Sequence, residues 1–261
     1  MNQTLILEIA KKLNYPTPLP IAKEIVEFAN GNEEKIEKIL KRISKNEPWE
    51  YIRGHTYFLG HKIYVNPGVL IPRRETEELV TIVVEDIKNL AKSRKQIVDI
   101  GTGSGCIAIA LEKSLEEEII AIDTSLEAIK TAKRNAKENS CKNIQFYNTD
   151  FENLKISKKR RTIIIANLPY IPSNDINFLD SSVKDYEPLS ALDGGKDGAK
   201  HYYKLLDDIE EKSINFEMAF FEIDSKIEKP LIKKLNSMEE YSYIILNDSF
   251  NRKRFLKIQK C

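Results

Sequence analysis

Four short stretches of this chain carry side chains with chemistry to offer, and each falls where a strand should end. Val98-Asp99-Ile100-Gly101-Thr102-Gly103-Ser104-Gly105 is an apolar run entering a glycine-rich turn that opens a helix. Glycines lack Cβ atoms and let the backbone approach a ligand, and a helix start offers unpaired N–H groups. The spacing is G-x-G-x-G, not the G-x-G-x-x-G of dinucleotide pyrophosphate sites. The alternative is a tight strand-to-helix turn without a ligand. Asp123 ends the next strand, where a carboxylate can accept hydrogen bonds from both ribose hydroxyls of an adenosyl group. Thr124 with Glu127 makes a capping box for the following helix, which leaves Asp123 free for a ligand. At the third strand end, Asp150 can receive an adenine amino group and Phe151 can lie on the base. An ordinary loop aspartate beside a core phenylalanine is the alternative there.

The fourth stretch, Asn167-Leu168-Pro169-Tyr170, follows Ile163-Ile164-Ile165-Ala166. Open α/β sheets bind ligands at the carboxyl ends of their strands. The Asn167 carboxamide can accept one N–H of a substrate amide or amine, and a neighbouring backbone carbonyl the other. Pro169 biases Leu168 towards an extended conformation that helps aim that carbonyl. The Tyr170 ring can pack on a flat substrate group. In isolation such a stretch reads as a strand-ending turn; beside the glycine turn and Asp123 it reads as a site.

The elements that must position these residues follow from periodicity. Residues 1 to about 46 are helical in pattern. Ile6, Ile9 and Leu13 form one stripe, Pro16, Pro18 and Pro20 break it, and Pro20 suits the first turn of a second helix through Ile21, Ile25 and Phe28. Asn32 can cap a third helix, with Glu33 and Glu34 complementing its dipole. Three short helices bury little area alone, so they should dock on the rest of the chain or on a partner. From Trp49 to Pro72, Tyr51, Tyr57, Phe58, Ile63, Tyr64 and Val65 are β-prone and predict a hairpin or paired-strand connector. A helix over 75–91 precedes strands at 97–100, 119–123, 144–147, 163–166, 218–223 and 243–246. Helices near 106–116, 125–139, 199–212 and 226–238 alternate with them, which predicts a parallel sheet covered on both faces.

Together these residues resemble the class I S-adenosylmethionine-dependent methyltransferases acting on planar nitrogens. More narrowly, the chain resembles the release factor glutamine methyltransferases (HemK/PrmC type) from Glu47-Pro48 to its end. The specific pieces are Tyr51-Ile52-Arg53-Gly54, Phe58-Leu59-Gly60, and Leu70-Ile71-Pro72-Arg73-Arg74-Glu75-Thr76-Glu77. Val183, Tyr186-Glu187-Pro188, Ala191-Leu192 and Asp193-Gly194-Gly195-Lys196-Asp197-Gly198 follow the Asn motif. The resemblance implies a Rossmann-like methyltransferase sheet with a small N-terminal helical domain joined by a β-hairpin. It implies S-adenosyl-L-methionine over Gly101, Thr102, Gly103, Ser104 and Gly105, with Asp123 on the ribose and Asp150 and Phe151 flanking the adenine. Asn167, Leu168, Pro169 and Tyr170 would hold the glutamine amide of the Gly-Gly-Gln motif of class-1 peptide chain release factors, Asn167 also bordering the cofactor. If residues 73–77 line a pocket, Thr76 and Glu77 would approach the cofactor; the alternative is a helix start with ion pairs. Three positions depart from the usual pattern: Leu168 for Pro, Asp224 for Gly, and Asn251 for Gly, the last tolerating left-handed geometry. N-L-P-Y is also the form found in ribosomal RNA adenine dimethyltransferases.

Composition bounds the partners. Lys and Arg number 41 against 40 Asp and Glu, a net charge of +1, so no large field draws the 261-residue chain to nucleic acid or anionic lipid. Lys158–Arg161 reads as a solvated loop. Cys106, Cys141 and Cys261 are scattered and His55, His61 and His201 unclustered, which suggests neither a disulfide framework nor a metal site. Residues 1–12 lack a signal-peptide pattern, and no apolar run approaches the roughly 20 residues that cross a bilayer. The expectation is a cytoplasmic monomer: residues 1–46 recognising substrate, 47–73 connecting, and 74–261 transferring methyl. The competing readings are an adenine N6-methyltransferase on DNA or RNA and a non-catalytic cofactor-binding module. The former would need a basic groove or base-reading domain, and neither is visible.

Overall fold

Ile97–Ile100 and Ile163–Ala166 are apolar on every residue but Asp99, the pattern of strands buried on both faces. The computed structural model describes residues 3–13, 15, 17–90, 95–157, 160–212, 214 and 216–261. Pro16 of the expected helix break, Ala91 of the expected helix, and Lys158 and Lys159 of the basic run lie outside them. The N-terminal part holds α1 (Gln3–Lys12), α2 (Pro18–Phe28), α3 (Glu33–Ile43) and α4 (Trp49–Arg53). A hairpin follows, β1 (His55–Phe58) and β2 (His61–Tyr64), then α5 (Arg74–Asn89) and β3 (Lys95–Ile100). Next come α6 (Cys106–Leu115), β4 (Ile119–Asp123), α7 (Leu126–Glu138), β5 (Ile144–Asn148) and β6 (Arg161–Ala166). The chain ends with α8 (Ser181–Lys184), α9 (Lys200–Glu211), β7 (Phe216–Glu222), α10 (Ser225–Leu235), β8 (Tyr241–Asn247) and β9 (Lys253–Lys260).

The main sheet runs β5-β4-β3-β6-β7-β9-β8. The pairs from β5 through β7 are parallel, and β9 is antiparallel to both its neighbours. Alternation sends Ile97, Ile163, Ile165 and Phe220 into one core with α5 and α6. Val98, Ile164, Ala166 and Phe221 face the other way, against α9 and α10. Because β4 and β6 flank β3 on opposite sides, the crossovers diverge at β3 and open a crevice at its carboxyl end. The expected α/β, Rossmann-like architecture with N-terminal helices and a hairpin is therefore observed. The expectation of a wholly parallel sheet is corrected at its edge. β9 was not foreseen; apolar and polar residues alternate only from Leu256 to Gln259, a weak pattern, yet it sits between β7 and β8.

A second correction concerns Tyr51, which lies in α4 and not in a strand. Pro48 starts this one-turn helix, and Gly54, left-handed at φ 78°, ends it. Trp49 and Ile52 join the core made by Ile25, Ile36 and Ile39, whereas Tyr51 joins that of the main sheet. The Trp49 indole donates to Glu24 Oε2 at 2.8 Å. The first helices thus dock on their own chain through α4. Asn32 caps α3, accepting from Lys35 N at 2.9 Å, as its position predicts. The hairpin turns on Leu59-Gly60, both at positive φ, as a two-residue turn requires.

Candidate functional site

The carboxyl ends of β3, β4, β6 and the segment after β5 meet around a cleft of about 260 Å³. Of the residues singled out from the sequence, Gly101, Thr102, Gly103, Ser104, Asp123, Asp150, Phe151, Asn167, Leu168 and Pro169 line it. Gly105 and Tyr170 do not. Gly105, left-handed at φ 83°, opens α6, and a Cβ there would lie 2.9 Å from Ala132 Cβ. Its smallness serves the packing of α6 on α7. The Tyr170 hydroxyl points to Glu222, donating to Oε1 at 3.3 Å, and burial raises its pKa.

The glycine turn owes its shape to Asp123. Gly103 N donates to Asp123 Oδ2 at 2.9 Å and Ser125 N to Oδ1 at 2.8 Å. The carboxylate is therefore not left free, as the capping-box reading expected. Ser125, rather than Thr124, caps α7, its Oγ accepting from Ala128 N at 3.2 Å. A carboxylate offers about four lone-pair directions, so two N–H partners leave acceptor capacity facing the cleft. Burial raises the Asp123 pKa against these two hydrogen bonds. Asn135, fully buried in α7, donates to Ser104 O at 2.8 Å and Tyr64 O at 2.9 Å, tying the turn to the hairpin. Such a bridge could not be read from the sequence, because its partners lie 31 and 71 residues away.

Beneath the turn, the buried Asp99 accepts from Thr102 Oγ1 at 2.7 Å. Burial pushes its carboxyl up to about 7 despite that bond. Between the ordinary 3.8 and about 7 the folded state holds the extra proton. Its contribution to stability is therefore complete below the lower value and lost as pH rises through the upper one. Asp99→Asn is expected to flatten the fall of unfolding free energy between about pH 4 and pH 7. Urea unfolding across that range tests this, and an unchanged slope contradicts it.

At the segment after β5, Asp150 is exposed. Its Oδ1 accepts from Asn153 N at 2.9 Å and Nδ2 at 2.8 Å, and the Asn153 N–H holds its pKa down. Phe151 is buried in the α9 core and also lines the cleft. His201, unclustered in the sequence, also lines the cleft, its Nε2 3.1 Å from Asp193 O. Among the described residues no group of three His, Cys, Asp or Glu is placed to hold a metal ion, and no helix is long and apolar enough to cross a membrane.

The Asn167 end is the most heavily braced part. Asn167 Nδ2 donates to Thr76 Oγ1 at 3.0 Å, and Thr76 Oγ1 donates to Glu222 Oε2 at 2.7 Å. Leu168 N donates at 3.1 Å to the Tyr202 hydroxyl, which in turn donates to Glu222 O. A proline at 168 would lack that N–H, so the unusual leucine brings its own donor and finds a partner for it. Its side chain also fills space at Gly101, where a Cβ would come within 2.9 Å of Leu168 Cδ2. Of the pair expected near the cofactor, Thr76 lines the cleft whereas Glu77 accepts from Leu59 N at 2.7 Å. The sequence places Glu222 only within the strand expected over 218–223. A carboxylate directly after the apolar run Met218-Ala219-Phe220-Phe221 was the available signal.

Outer segments hold this floor in place. Arg73 Nη2 reaches Glu187 at 2.7 and 2.6 Å, joining the entry of α5 to Tyr186-Glu187-Pro188. Ile171 N donates to Leu192 O at 3.0 Å and Gly194 N to Ile171 O at 2.8 Å. Gly198, left-handed at φ 81°, lies so close that a Cβ would sit 2.5 Å from Tyr170 O. The other two departures are accommodated: Asp224, at φ −103°, caps α10 through Lys226 N at 2.9 Å, and Asn251 adopts φ 60°.

Glycine backbone, an acceptor carboxylate and an aromatic side chain lining one cleft fit an adenosyl cofactor, and Asn167 lines the same cleft. The family model for ribosomal protein L11 methyltransferase (PrmA) matches residues 76–172. The chain is similar to the release factor glutamine methyltransferase of Thermodesulfovibrio yellowstonii, 40% identical over 198 residues, covering 76% of this chain and 71% of that protein. It is also similar to that of Bacteroides thetaiotaomicron, 32% identical over 239 residues, covering 90% of this chain and 84% of that protein. Among solved structures it is similar in fold to the hMettl16 catalytic domain in complex with the MAT2A 3′UTR hairpin 6. That match has a TM-score of 0.60 at 17% identity, over 77% of this chain and 76% of the other.

Proposed function

This chain belongs to the release factor glutamine methyltransferase family, and from that premise we propose the reaction it performs. It transfers the methyl group of S-adenosyl-L-methionine to the side-chain amide nitrogen (N5) of the glutamine in the Gly-Gly-Gln motif of class-1 peptide chain release factors, leaving S-adenosyl-L-homocysteine. When bound, the cofactor supplies an electrophilic methyl on a sulfonium. Gly101, Thr102, Gly103 and Ser104 would hold it by backbone, Asp123 by its remaining acceptor directions, and Phe151 with Asp150 at the base. Gly105 and Tyr170 act behind this wall, in packing and bracing.

The observation that supports the reading most is the state of Asn167. Its Nδ2 is committed to Thr76, so its Oδ1 is the atom available to a substrate N–H. The Leu168 carbonyl supplies a second acceptor, its own N–H being taken by Tyr202. An amide nitrogen is a weak nucleophile because its lone pair is delocalised into the carbonyl. Two acceptors on its hydrogens orient it and stabilise positive charge as the new bond forms. The proton leaves to water after transfer, so no general base is required.

A groove of about 950 Å³ adjoins the cleft through Pro72 and Arg73. Tyr15, Ser44 and Glu47 line one side and Glu187 and Phe250 the other. That supports residues 1–46 as the substrate-recognising part, 47–73 as connector and 74–261 as the transferring part. One chain carries every group the reading uses, and the reading takes it as a monomer that acts on its protein substrate in the cytoplasm and uses no metal.

The test is transfer of labelled methyl from S-adenosylmethionine to a release factor, its Gln-to-Ala variant, and nucleic acid. Label on the unmodified release factor alone is expected. Label on nucleic acid, or equal label on the Gln-to-Ala protein, overturns the reading; cofactor binding with no transfer favours the non-catalytic module.

A further inference from the structure

Whether Asn167 presents an oxygen or an NH₂ group to the cleft decides whether it can accept a substrate N–H, and the carboxamide has nearly the same shape either way. We propose that Thr76 and Glu222 are positioning residues that set this polarity, through a buried chain running from the Glu222 carboxylate to the Thr76 hydroxyl to the Asn167 amide. The inference rests on the methyl-transfer reading above and adds to it two residues that touch neither reacting atom.

A threonine hydroxyl has one hydrogen, and here it goes to Glu222 Oε2 at 2.7 Å. The Thr76 oxygen is left only as an acceptor, so the group facing it at 3.0 Å must be a donor, the Asn167 NH₂. Rotating Asn167 would turn two acceptors towards each other or strip Glu222 of its partner. Thr76 and Glu222 are 2% and 1% exposed, so water cannot make good the loss. The other Glu222 oxygen accepts from Tyr170 at 3.3 Å, so both oxygens serve as acceptors. Arg254 supplies a favourable charge nearby, although burial still raises the carboxyl pKa. The Glu222 main chain braces the same motif, since its carbonyl accepts from Tyr202, which holds Leu168 N–H. One residue at the end of β7 therefore anchors both acceptors offered to the substrate.

Steady-state methylation of a release factor by the full chain tests this with variants of nearly unchanged shape. Thr76→Val should lower kcat about tenfold, with KM for the release factor and cofactor affinity each within about twofold. Thr76→Ser, which keeps the hydroxyl, should retain kcat within about threefold of the unsubstituted protein. Glu222→Gln can donate to Thr76 and reverse the chain, so it should match Thr76→Val. The double variant should be no worse than either single one, because both break the same chain. Thermal midpoints and cofactor titrations establish that each protein is folded. If a folded Thr76→Val keeps kcat within about threefold, or Thr76→Ser loses as much as Val, or the two losses multiply, the positioning role is wrong. If the unsubstituted chain labels no release factor, it is the underlying reading that fails.

Discussion

Asn167→Ala is expected to cut turnover about 10²-fold, or about 2.7 kcal/mol of transition-state stabilisation, while cofactor affinity changes far less. The substitution removes the one side-chain acceptor proposed for the substrate amide. It leaves the glycine turn, Asp123 and Phe151 untouched, and these carry the proposed cofactor contacts. It also leaves the Thr76 oxygen without its donor, a local loss away from the glycine turn. Single-turnover transfer with saturating cofactor, set beside a cofactor titration, separates the two effects. Turnover within threefold of the unsubstituted protein would remove Asn167 from its role.

The mirror-image result is expected at Asp123. Asp123→Ala should weaken cofactor affinity about 10²-fold while turnover at saturating cofactor stays within about threefold. Hydrogen bonds to a charged acceptor contribute about 1.5–3 kcal/mol each, and the ribose offers two donors. The same carboxylate holds Gly103 N and Ser125 N, so its loss also releases the turn that shapes the cleft. Calorimetric titration with S-adenosylhomocysteine measures the effect. A change below fivefold would mean that the acceptor capacity left on Asp123 does not face a ligand. Together the two variants divide the cleft into a part that binds cofactor and a part that orients substrate.

Much of this arrangement was legible in the chain itself. Buried apolar runs such as Ile163–Ala166 announce parallel strands, and strands alternating with amphipathic helices fix where their carboxyl ends collect. That placed ten of the twelve residues singled out on one cleft. The failures have a common cause. Tyr51 is β-prone, but Pro48, Gly54 and the packing of its neighbours into two cores favour a helical turn. Local propensity could not weigh that packing. The Thr124–Glu127 pair satisfied a local capping pattern, yet Ser125 sits at the cap and draws its own N–H onto Asp123. Tyr170 stands in the motif, but its hydroxyl follows a carboxylate 52 residues away.

The bracing of Asn167 illustrates the limit most clearly. Thr76 and Glu222 are separated by 146 residues, and nothing in either segment marks the other as its partner. The topology brings them together: α5 begins, and β7 ends, at the carboxyl end of the sheet where β6 delivers Asn167. Leu168 is the converse case. It departs from the usual proline, and its N–H makes a bond that proline could not.

The most direct measurement is tandem mass spectrometry of a class-1 release factor after incubation with this protein and S-adenosylmethionine. The expected result is the mass of one methyl group on the peptide carrying Gly-Gly-Gln, localised by fragmentation to the glutamine side chain and reduced about 10²-fold when Asn167→Ala replaces the unsubstituted protein over the same short incubation. A methyl group found on any other residue, or on added nucleic acid with the release factor unmodified, would contradict it.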